Sequence, residues 1–88
     1  PHKKTVKFRT YEFKSNIGDS FYIFSDGYID QIGGPEQKTF RSKQFKELLQ
    51  SIQHQNMTEQ KKTLSARFKA WKGKTEQIDD ILVMGIKI

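Results

Sequence analysis

The fold of this chain is decided by one stretch from Phe21 to Pro35, which reads Phe-Tyr-Ile-Phe-Ser-Asp-Gly-Tyr-Ile-Asp-Gln-Ile-Gly-Gly-Pro. Its first four residues are apolar strand formers, a pattern typical of a β-strand buried on both faces. Asp26 follows where this strand ends, so a rigid element holds a carboxylate that can still reach a cleft, as a metal site requires. Gly27 beside it relaxes the backbone or lets a ligand approach closely.

A second acidic stretch lies near the C-terminus, where Asp79 and Asp80 lead directly into the apolar run 81–86. If the two apolar strands are antiparallel neighbours, Asp26 and Asp79 fall at the same end of the sheet. Neighbouring strands are roughly 4.8 Å apart, so the two carboxylates could share one Mg²⁺ or Mn²⁺ ion. On spacing alone, a turn at Asp-Gly and a cap or solvated strand entry at Asp-Asp remain alternatives.

The N-terminal part of the chain has the pattern of a β-hairpin over residues 4–25. Val6, Phe8 and Thr10 alternate with charged residues, as in a half-exposed strand. The alternation resumes out of phase at Tyr11 and Phe13, which suggests a bulge or a bend. Turn-forming residues at 15–19 then lead into a strand over 20–24.

Helical periodicity replaces the strand pattern in the second half of the chain. After a single helical turn at 28–31 and a loop at 35–40 held to the core by Phe40, a helix begins near Ser42. Its apolar stripe is Phe45, Leu48, Leu49 and Ile52. Asn56 and Glu59 have the spacing of a helix-start capping box, and a second stripe runs to a glycine cap, with Leu64, Phe68, Trp71 and Gly73.

These elements predict an α+β fold, an antiparallel β-sheet of about three strands with two amphipathic helices packed on one face. The chain has 88 residues, which allows one domain or a piece of one. It has no cysteine, so disulfides and thiolate metal sites are excluded, and a cytoplasmic location is expected. No apolar run is long enough to cross a bilayer, so we expect no membrane contact by this segment.

The formal charge of +6 raises the question of nucleic-acid binding. The basic residues are scattered, however, over residues 3–9, 38–46 and 61–74, and no nucleic-acid recognition motif accompanies them. A basic, solvated face explains them better, and no nucleic-acid partner is expected. A small nucleic-acid binder and a non-catalytic protein-interaction module nevertheless stay open as alternative functions.

Five short motifs occur in this order along the chain: Gly18-Asp19, Phe24-Ser25-Asp26-Gly27, Asp30-Gln31, Gly33-Gly34-Pro35 and Gln77-Ile78-Asp79-Asp80-Ile81-Leu82-Val83. Together they resemble the C-terminal half of a SpoIIE-like phosphatase domain. This family belongs to the PPM class, the metal-dependent type-2C serine/threonine protein phosphatases. The order of strand pair, Asp-Gly, two helices, Asp-Asp and closing strand also fits, and the resemblance extends from about Tyr11 to Ile88.

The resemblance implies a part of an α-β-β-α sandwich in which Mn²⁺ or Mg²⁺ ions lie at the sheet ends. It implies direct attack of a metal-activated water on a phosphoserine or phosphothreonine of a phosphoprotein substrate. By match to the family motifs, Asp26 and Asp79 correspond to metal ligands, and no other catalytic residue is assigned. Asp80, where many relatives have Asn, and Gly27 are candidates for supporting positions beside the ligands.

The chain departs from the family in extent, because the N-terminal half with its own Asp-Gly pair is not in residues 1–88. We therefore expect 1–88 to be the C-terminal portion of a single phosphatase domain, in an output domain of a bacterial signalling protein whose upstream segments could anchor it to a membrane. Two carboxylates cannot complete a two-metal site, so this portion alone should be inactive. Its uncovered apolar faces and strand edges predict a homo-oligomer, most simply a homodimer.

Overall fold

A three-stranded antiparallel sheet forms the framework of the chain, which the computed structural model describes over residues 7–15 and 18–88. The strand between Ser20 and Ser25 is central and pairs with both of the others. The elements, in chain order, are β1 (Phe8–Phe13), β2 (Ser20–Ser25), β3 (Ile32–Gly33), β4 (Lys38–Thr39), α1 (Ser42–Ser51), α2 (Met57–Lys72) and β5 (Val83–Lys87).

The hydrophobic core lies between one face of this sheet and the two helices. Tyr22 and Phe24 of β2 point to this face and are almost completely buried. The Phe24 ring packs against Phe45 of α1 with centroids 4.7 Å apart. Tyr28 packs against Phe68 of α2 at 5.0 Å. Such tilted and edge-on aromatic pairs are the favoured arrangements of buried rings, and the predicted α+β fold with both helices on one face is confirmed.

Both helices form where the sequence predicts them. In α1 the buried side chains are Phe45, Leu48 and Leu49, and Ile52 is buried at its C-terminal cap. In α2, Asn56 Oδ1 accepts a hydrogen bond from the Glu59 amide at 2.8 Å, and Glu59 Oε1 accepts one from the Asn56 amide at 3.1 Å. This capping box satisfies two N–H groups that the helix leaves without intrahelical partners. Gly73 caps the other end with a positive φ of 53°.

The predicted bulge in the first strand is wrong. β1 pairs with β2 residue for residue, from Phe8 opposite Ser25 to Phe13 opposite Ser20. Tyr11 and Phe13 pack against the core, whereas Phe8 lies on the other face and is 56% exposed. The strand is regular but has apolar residues on both faces. This explains the apparent shift in the alternation of apolar and polar residues between Phe8 and Tyr11. Residues 4–6 and 16–17 of the predicted hairpin lie outside the described residues.

A second, small hairpin replaces the predicted loop at 35–40. Ile32 pairs with Thr39 and Gly33 with Lys38 in β3 and β4. The connection uses Gly34 at φ 71° and Gln37 at φ 52°, the left-handed region that tight hairpin turns require. Before it, the Asp30 amide donates to the Asp26 carbonyl at 2.9 Å, so a single turn follows β2. Phe40, just after the hairpin, is buried as predicted.

The opposite face of the sheet is apolar and largely exposed. Ile23 of β2 is 38% exposed, so the expectation that this strand is buried on both faces is wrong for the described residues. The described chain contributes helices to only one side, which leaves the other uncovered. The exposed apolar residues near it are Phe8, Leu82, Met84, Ile86 and Ile88. Among residues 7–15 and 18–88, no helix is both long and apolar enough to span a bilayer.

Candidate metal site

Asp26 ends the central strand with a carboxylate oxygen that is buried but accepts no hydrogen bond. Oδ1 of Asp26 lies 2.9 Å from Nε of Arg9 on the neighbouring strand. The Asp26 side chain is 31% exposed and the Arg9 side chain 49%. A buried carboxylate oxygen has to be compensated by a cation or by donors. The guanidinium supplies that positive charge here.

The backbone at Gly27 lies against the second acidic stretch. A Cβ placed on Gly27 would be 2.1 Å from the carbonyl oxygen of Asp80 and 2.9 Å from its carbonyl carbon. Real side-chain carbons do not approach backbone atoms so closely, so this contact requires glycine. The close approach at Gly27 is thus made by the protein's own backbone at Asp80, whereas the sequence suggests a relaxed backbone or an approaching ligand.

Ser25 joins the same two stretches by three hydrogen bonds. Its amide donates to the Leu82 carbonyl at 2.9 Å, and its Oγ accepts from the Leu82 amide at 3.0 Å. The Ser25 hydroxyl also donates to the Asp80 carbonyl at 3.3 Å. Beyond the last regular pair of β2 and β5, Phe24 with Val83, these bonds continue the contact between the two stretches. The Ser25 side chain makes two of them.

Asp79 and Asp80 therefore reach the end of the sheet at which Asp26 lies. Asp79 is half-buried, and its Oδ1 accepts a hydrogen bond from the Asp80 amide at 2.7 Å. Its carbonyl accepts one from the Gln77 side chain at 2.9 Å. Asp80 is exposed, and it is its carbonyl that faces Ser25 and Gly27. The two acidic stretches thus meet through the backbone of Gly27 and Asp80, and the sharing of a cation by the Asp26 and Asp79 carboxylates stays a prediction.

The donor chemistry of this corner fits one side of a site for a hard cation. Carboxylate oxygens and backbone carbonyls are the groups that Mg²⁺ and Mn²⁺ take in proteins. The buried oxygen of Asp26, balanced by Arg9, is the kind of atom that a cation would satisfy. Within residues 7–15 and 18–88, however, no three His, Cys, Asp or Glu side chains cluster closely enough to hold an ion. The described chain offers part of a metal site.

An open cleft of about 1030 Å³ runs beside this corner, between α2 and the segment 77–85. Apolar side chains make up much of its wall, and Asp80 lies at its border. It therefore differs in chemistry from the acidic corner. Its lining includes Tyr22, Met57, Leu64, Phe68, Val83 and Met84.

Burial affects one ionisable side chain next to the acidic turn. Tyr28, two residues after Asp26, is 2% exposed, and its hydroxyl donates to the Leu64 carbonyl at 2.7 Å. Loss of hydration raises the pKa of this phenol far above its ordinary value, and the positive charge of Arg67 opposes the rise in part. Tyr28 therefore stays a neutral hydrogen-bond donor that joins the turn to α2.

Sequence reasoning assigns no role to three residues of this corner, namely Arg9, Ser25 and Gln31, although Ser25 and Gln31 lie within motifs of the family resemblance. Gln31 is completely buried, and its side chain bonds to the backbone of residues 76 and 78. Arg9 lies opposite Phe24 through the register of β1 and β2, which the sequence alone does not specify. Ser25 and Gln31 carry no separate signal, because serine after a strand and glutamine after a turn are ordinary surface residues.

Comparison with known proteins identifies a family and a similar solved structure. Residues 2–88 match the family model for stage II sporulation protein E, SpoIIE. Among solved structures, the SiaA-PP2C domain of Pseudomonas aeruginosa is similar, with a TM-score of 0.77 and 30% sequence identity. The match covers 80% of this chain and 28% of the chain in that structure, so the present chain spans well under a third of it. No curated protein sequence matched.

Proposed function

The chain belongs to the SpoIIE family, and from this premise we propose that it is part of a metal-dependent protein serine/threonine phosphatase. Asp26 and Asp79 are ligands for Mn²⁺ or Mg²⁺ in this proposal, and the substrate is a phosphoserine or phosphothreonine of a protein. Its place is the cytoplasmic output domain of a bacterial signalling protein. The similarity of the fold to a PP2C domain supports a phosphatase-type domain.

One observation carries the proposal, namely the way in which β2 and β5 bring the acidic stretches together. The antiparallel register, the Ser25 hydrogen bonds and the Gly27 contact with Asp80 place both acidic segments at one end of the sheet. The regular pairing of β2 with β5 ends at Phe24 and Val83. The additional bonds hold irregular backbone in place at the position where a cation would need rigid ligands.

The chain's own residues supply binding and orientation in this proposal. Asp26 and Asp79 hold the cation, Ser25 and Gly27 fix the backbone beside them, and Arg9 balances Asp26 before a cation arrives. A bound divalent ion supplies an activated water and neutralises the phosphoryl oxygens. The described residues offer too few carboxylates for two ions, so we expect no phosphatase activity from the chain alone.

Mn²⁺-induced broadening of backbone amide NMR signals tests the metal site on the chain itself. We expect the amides around Asp26 and Asp79 to broaden first and to share one dissociation constant of about a millimolar, as for a partly built oxygen site. Asp26→Asn and Asp79→Asn should each abolish this broadening. Asp19→Asn, which removes a charge just before the opposite end of β2, should leave it unchanged. Uniform broadening that all three variants retain would contradict the proposal.

A phosphatase assay on the complete protein that contains this chain tests the activity. We expect hydrolysis of a phosphoserine peptide that requires Mn²⁺ or Mg²⁺ and falls at least a hundredfold in Asp26→Asn or Asp79→Asn. Asp19→Asn should keep the wild-type rate. Metal-independent hydrolysis, or full activity in both ligand variants, would contradict the assignment.

A non-catalytic interaction module is the second candidate, and the exposed apolar face of the sheet favours it. Contiguous exposed apolar surface of this kind marks contact sites in soluble proteins. In that case the acids only order the turns, and Asp26→Asn and Asp79→Asn would leave the binding of a partner unchanged. Loss of metal-dependent hydrolysis without loss of association would separate the two functions.

A further inference from the structure

We propose that Gln31 is a positioning residue that holds the segment 76–82, and with it Asp79, beside Asp26. The inference rests on the proposed metal site, and it concerns how this chain builds that site. Gln31 lies five residues after Asp26, at the end of the turn that follows β2. It is completely buried, although glutamine is usually a surface residue.

The Gln31 side chain bonds to the acidic segment in both directions. Its Nε2 donates to the Glu76 carbonyl at 2.9 Å and to the Ile32 carbonyl at 3.0 Å. Its Oε1 accepts from the Ile78 amide at 3.3 Å. One buried amide group thus satisfies backbone atoms on both sides of Gln77. Leaving these buried donors and acceptors without hydrogen bonds would lower the stability of the fold. The hydrogen bonds therefore favour this one arrangement of Gln31 and the acidic segment.

The backbone of Gln31 is itself fixed. Its carbonyl accepts a hydrogen bond from Nε1 of Trp71 at 2.8 Å and one from the Phe40 amide at 3.0 Å. Next to it, the Gly34 amide donates to the Trp71 carbonyl at 2.9 Å. The backbone of Gln31 is therefore fixed against α2. Its side chain can in turn restrict the movement of the segment to which it is hydrogen-bonded.

Asp79 lies between two anchored points of an otherwise irregular segment. Residues 76–82 contain no helix or strand. Gln31 holds Glu76 and Ile78 on one side, and Ser25 holds Asp80 and Leu82 on the other. Ser25 and Gln31 flank the turn that carries Asp26. The turn therefore binds the second acidic segment on both sides of Asp79. Asp26 lies between Ser25 and Gln31 in the turn itself.

The molecule offers a matched control for this role in a second buried glutamine. Gln60 of α2 is 2% exposed, accepts from the Tyr22 hydroxyl at 2.7 Å and donates to the Gln55 carbonyl at 3.0 Å. It has no hydrogen bond to the acidic segments among the described residues. Gln31→Met and Gln60→Met each replace a buried amide by an apolar side chain of similar length. Both should lower the melting temperature, so stability alone does not distinguish them.

Mn²⁺ titration and amide hydrogen exchange of the chain distinguish the two variants. We expect Gln31→Met to weaken Mn²⁺ binding at least tenfold, the effect typical of losing a group that orients a ligand. The Ile78 amide should exchange much faster in this variant. Gln60→Met should change Mn²⁺ affinity less than twofold and leave Ile78 exchange as in the wild type.

Equal weakening of Mn²⁺ binding in both variants, or none in Gln31→Met, would overturn the inference. If the wild-type chain itself bound no Mn²⁺, the proposed metal site would be at fault, and hydrogen exchange alone would decide the positioning role. Faster Ile78 exchange in Gln31→Met only would then support that Gln31 holds the segment. Unchanged exchange there would overturn it.

Discussion

The backbone of Gly27 touches the carbonyl of Asp80 so closely that a Cβ at residue 27 would lie 2.1 Å from the Asp80 oxygen. The φ angle of Gly27 is not in the left-handed region, so the contact, and not the backbone conformation, requires glycine.

Gly27→Ala should push the Asp79-Asp80 segment away from the turn. Because the opposing atoms belong to backbone, they can give way only by moving β5 and its preceding segment. We expect the free energy of unfolding to fall by about 1–3 kcal/mol, as for overpacking in a core. Urea denaturation measures it, and Mn²⁺ binding should weaken in parallel. Gly73→Ala is the control for metal binding: nothing lies within 4 Å of its added Cβ, but its φ of 53° disfavours alanine, so it should also lower stability while leaving Mn²⁺ binding unchanged.

Arg9→Met should strengthen Mn²⁺ binding several-fold. Nε of Arg9 lies 2.9 Å from Oδ1 of Asp26, so the guanidinium repels and competes with any cation at this oxygen. Half of the Arg9 side chain is exposed, so solvent limits the effect. NMR titration with Mn²⁺ checks the prediction at low ionic strength. Lys43→Met, which removes the same charge from an exposed position of α1, should have little effect. Weaker binding in Arg9→Met would contradict the competition.

Alkaline pH should destabilise the fold through Tyr28. Its raised pKa means that the native chain keeps the phenolic proton at pH values where the unfolded chain, with a pKa of about 10, has lost it. The contribution of Tyr28 to the free energy of unfolding is therefore fully present below about pH 10. Above that pH the free energy of unfolding decreases by up to about 1.4 kcal/mol per pH unit. Urea denaturation at pH 9 and pH 11 measures the loss. Tyr28→Phe should show a smaller loss, and equal losses would contradict the prediction.

The isolated chain should form a homodimer through the uncovered side of its sheet. The two outer strands, β1 and β5, each have one edge without a partner strand in the described part of the chain, and the apolar side chains beside them are exposed. Light scattering with gel filtration should show a dimer at about 100 µM. Met84→Lys combined with Ile86→Lys should give a monomer, because both side chains lie on that face.

A lysine placed on the helical side is the control for this experiment. Gln50→Lys adds the same type of residue to an exposed position of α1 and should leave the dimer intact. A wild-type chain that stays monomeric over the whole concentration range would contradict the prediction.

Local chemistry explains which elements the sequence predicts. The helices follow from a stripe of Phe45, Leu48 and Leu49 and from the capping box at Asn56, signals that depend on neighbouring residues only. The common end of the two acidic stretches follows from antiparallel pairing of two apolar runs. The sequence does not reveal the phase of β1, because Phe8 and Tyr11 lie on opposite faces of the strand and both residue types favour burial.

Other features could not be read from the sequence because they depend on distant partners. Gln31 becomes a core residue only because Glu76, Ile78 and Trp71 meet it from the other half of the chain. The β3–β4 hairpin has two residues per strand, too few for any periodicity to appear. Arg9 reaches Asp26 only through the register of β1 and β2.

The hydrogen bonds between the turn and residues 76–82 have a consequence for folding during synthesis. Ser25 and Gln31 bond to partners about fifty positions later in the chain, so their contacts cannot form until ribosomes have delivered nearly all 88 residues. Before β5 is synthesised, β1 is the only strand of the described residues that can pair with β2. The acidic corner thus forms only after both helices have been synthesised, and a chain cut before residue 76 would contain Asp26 without the backbone that surrounds it.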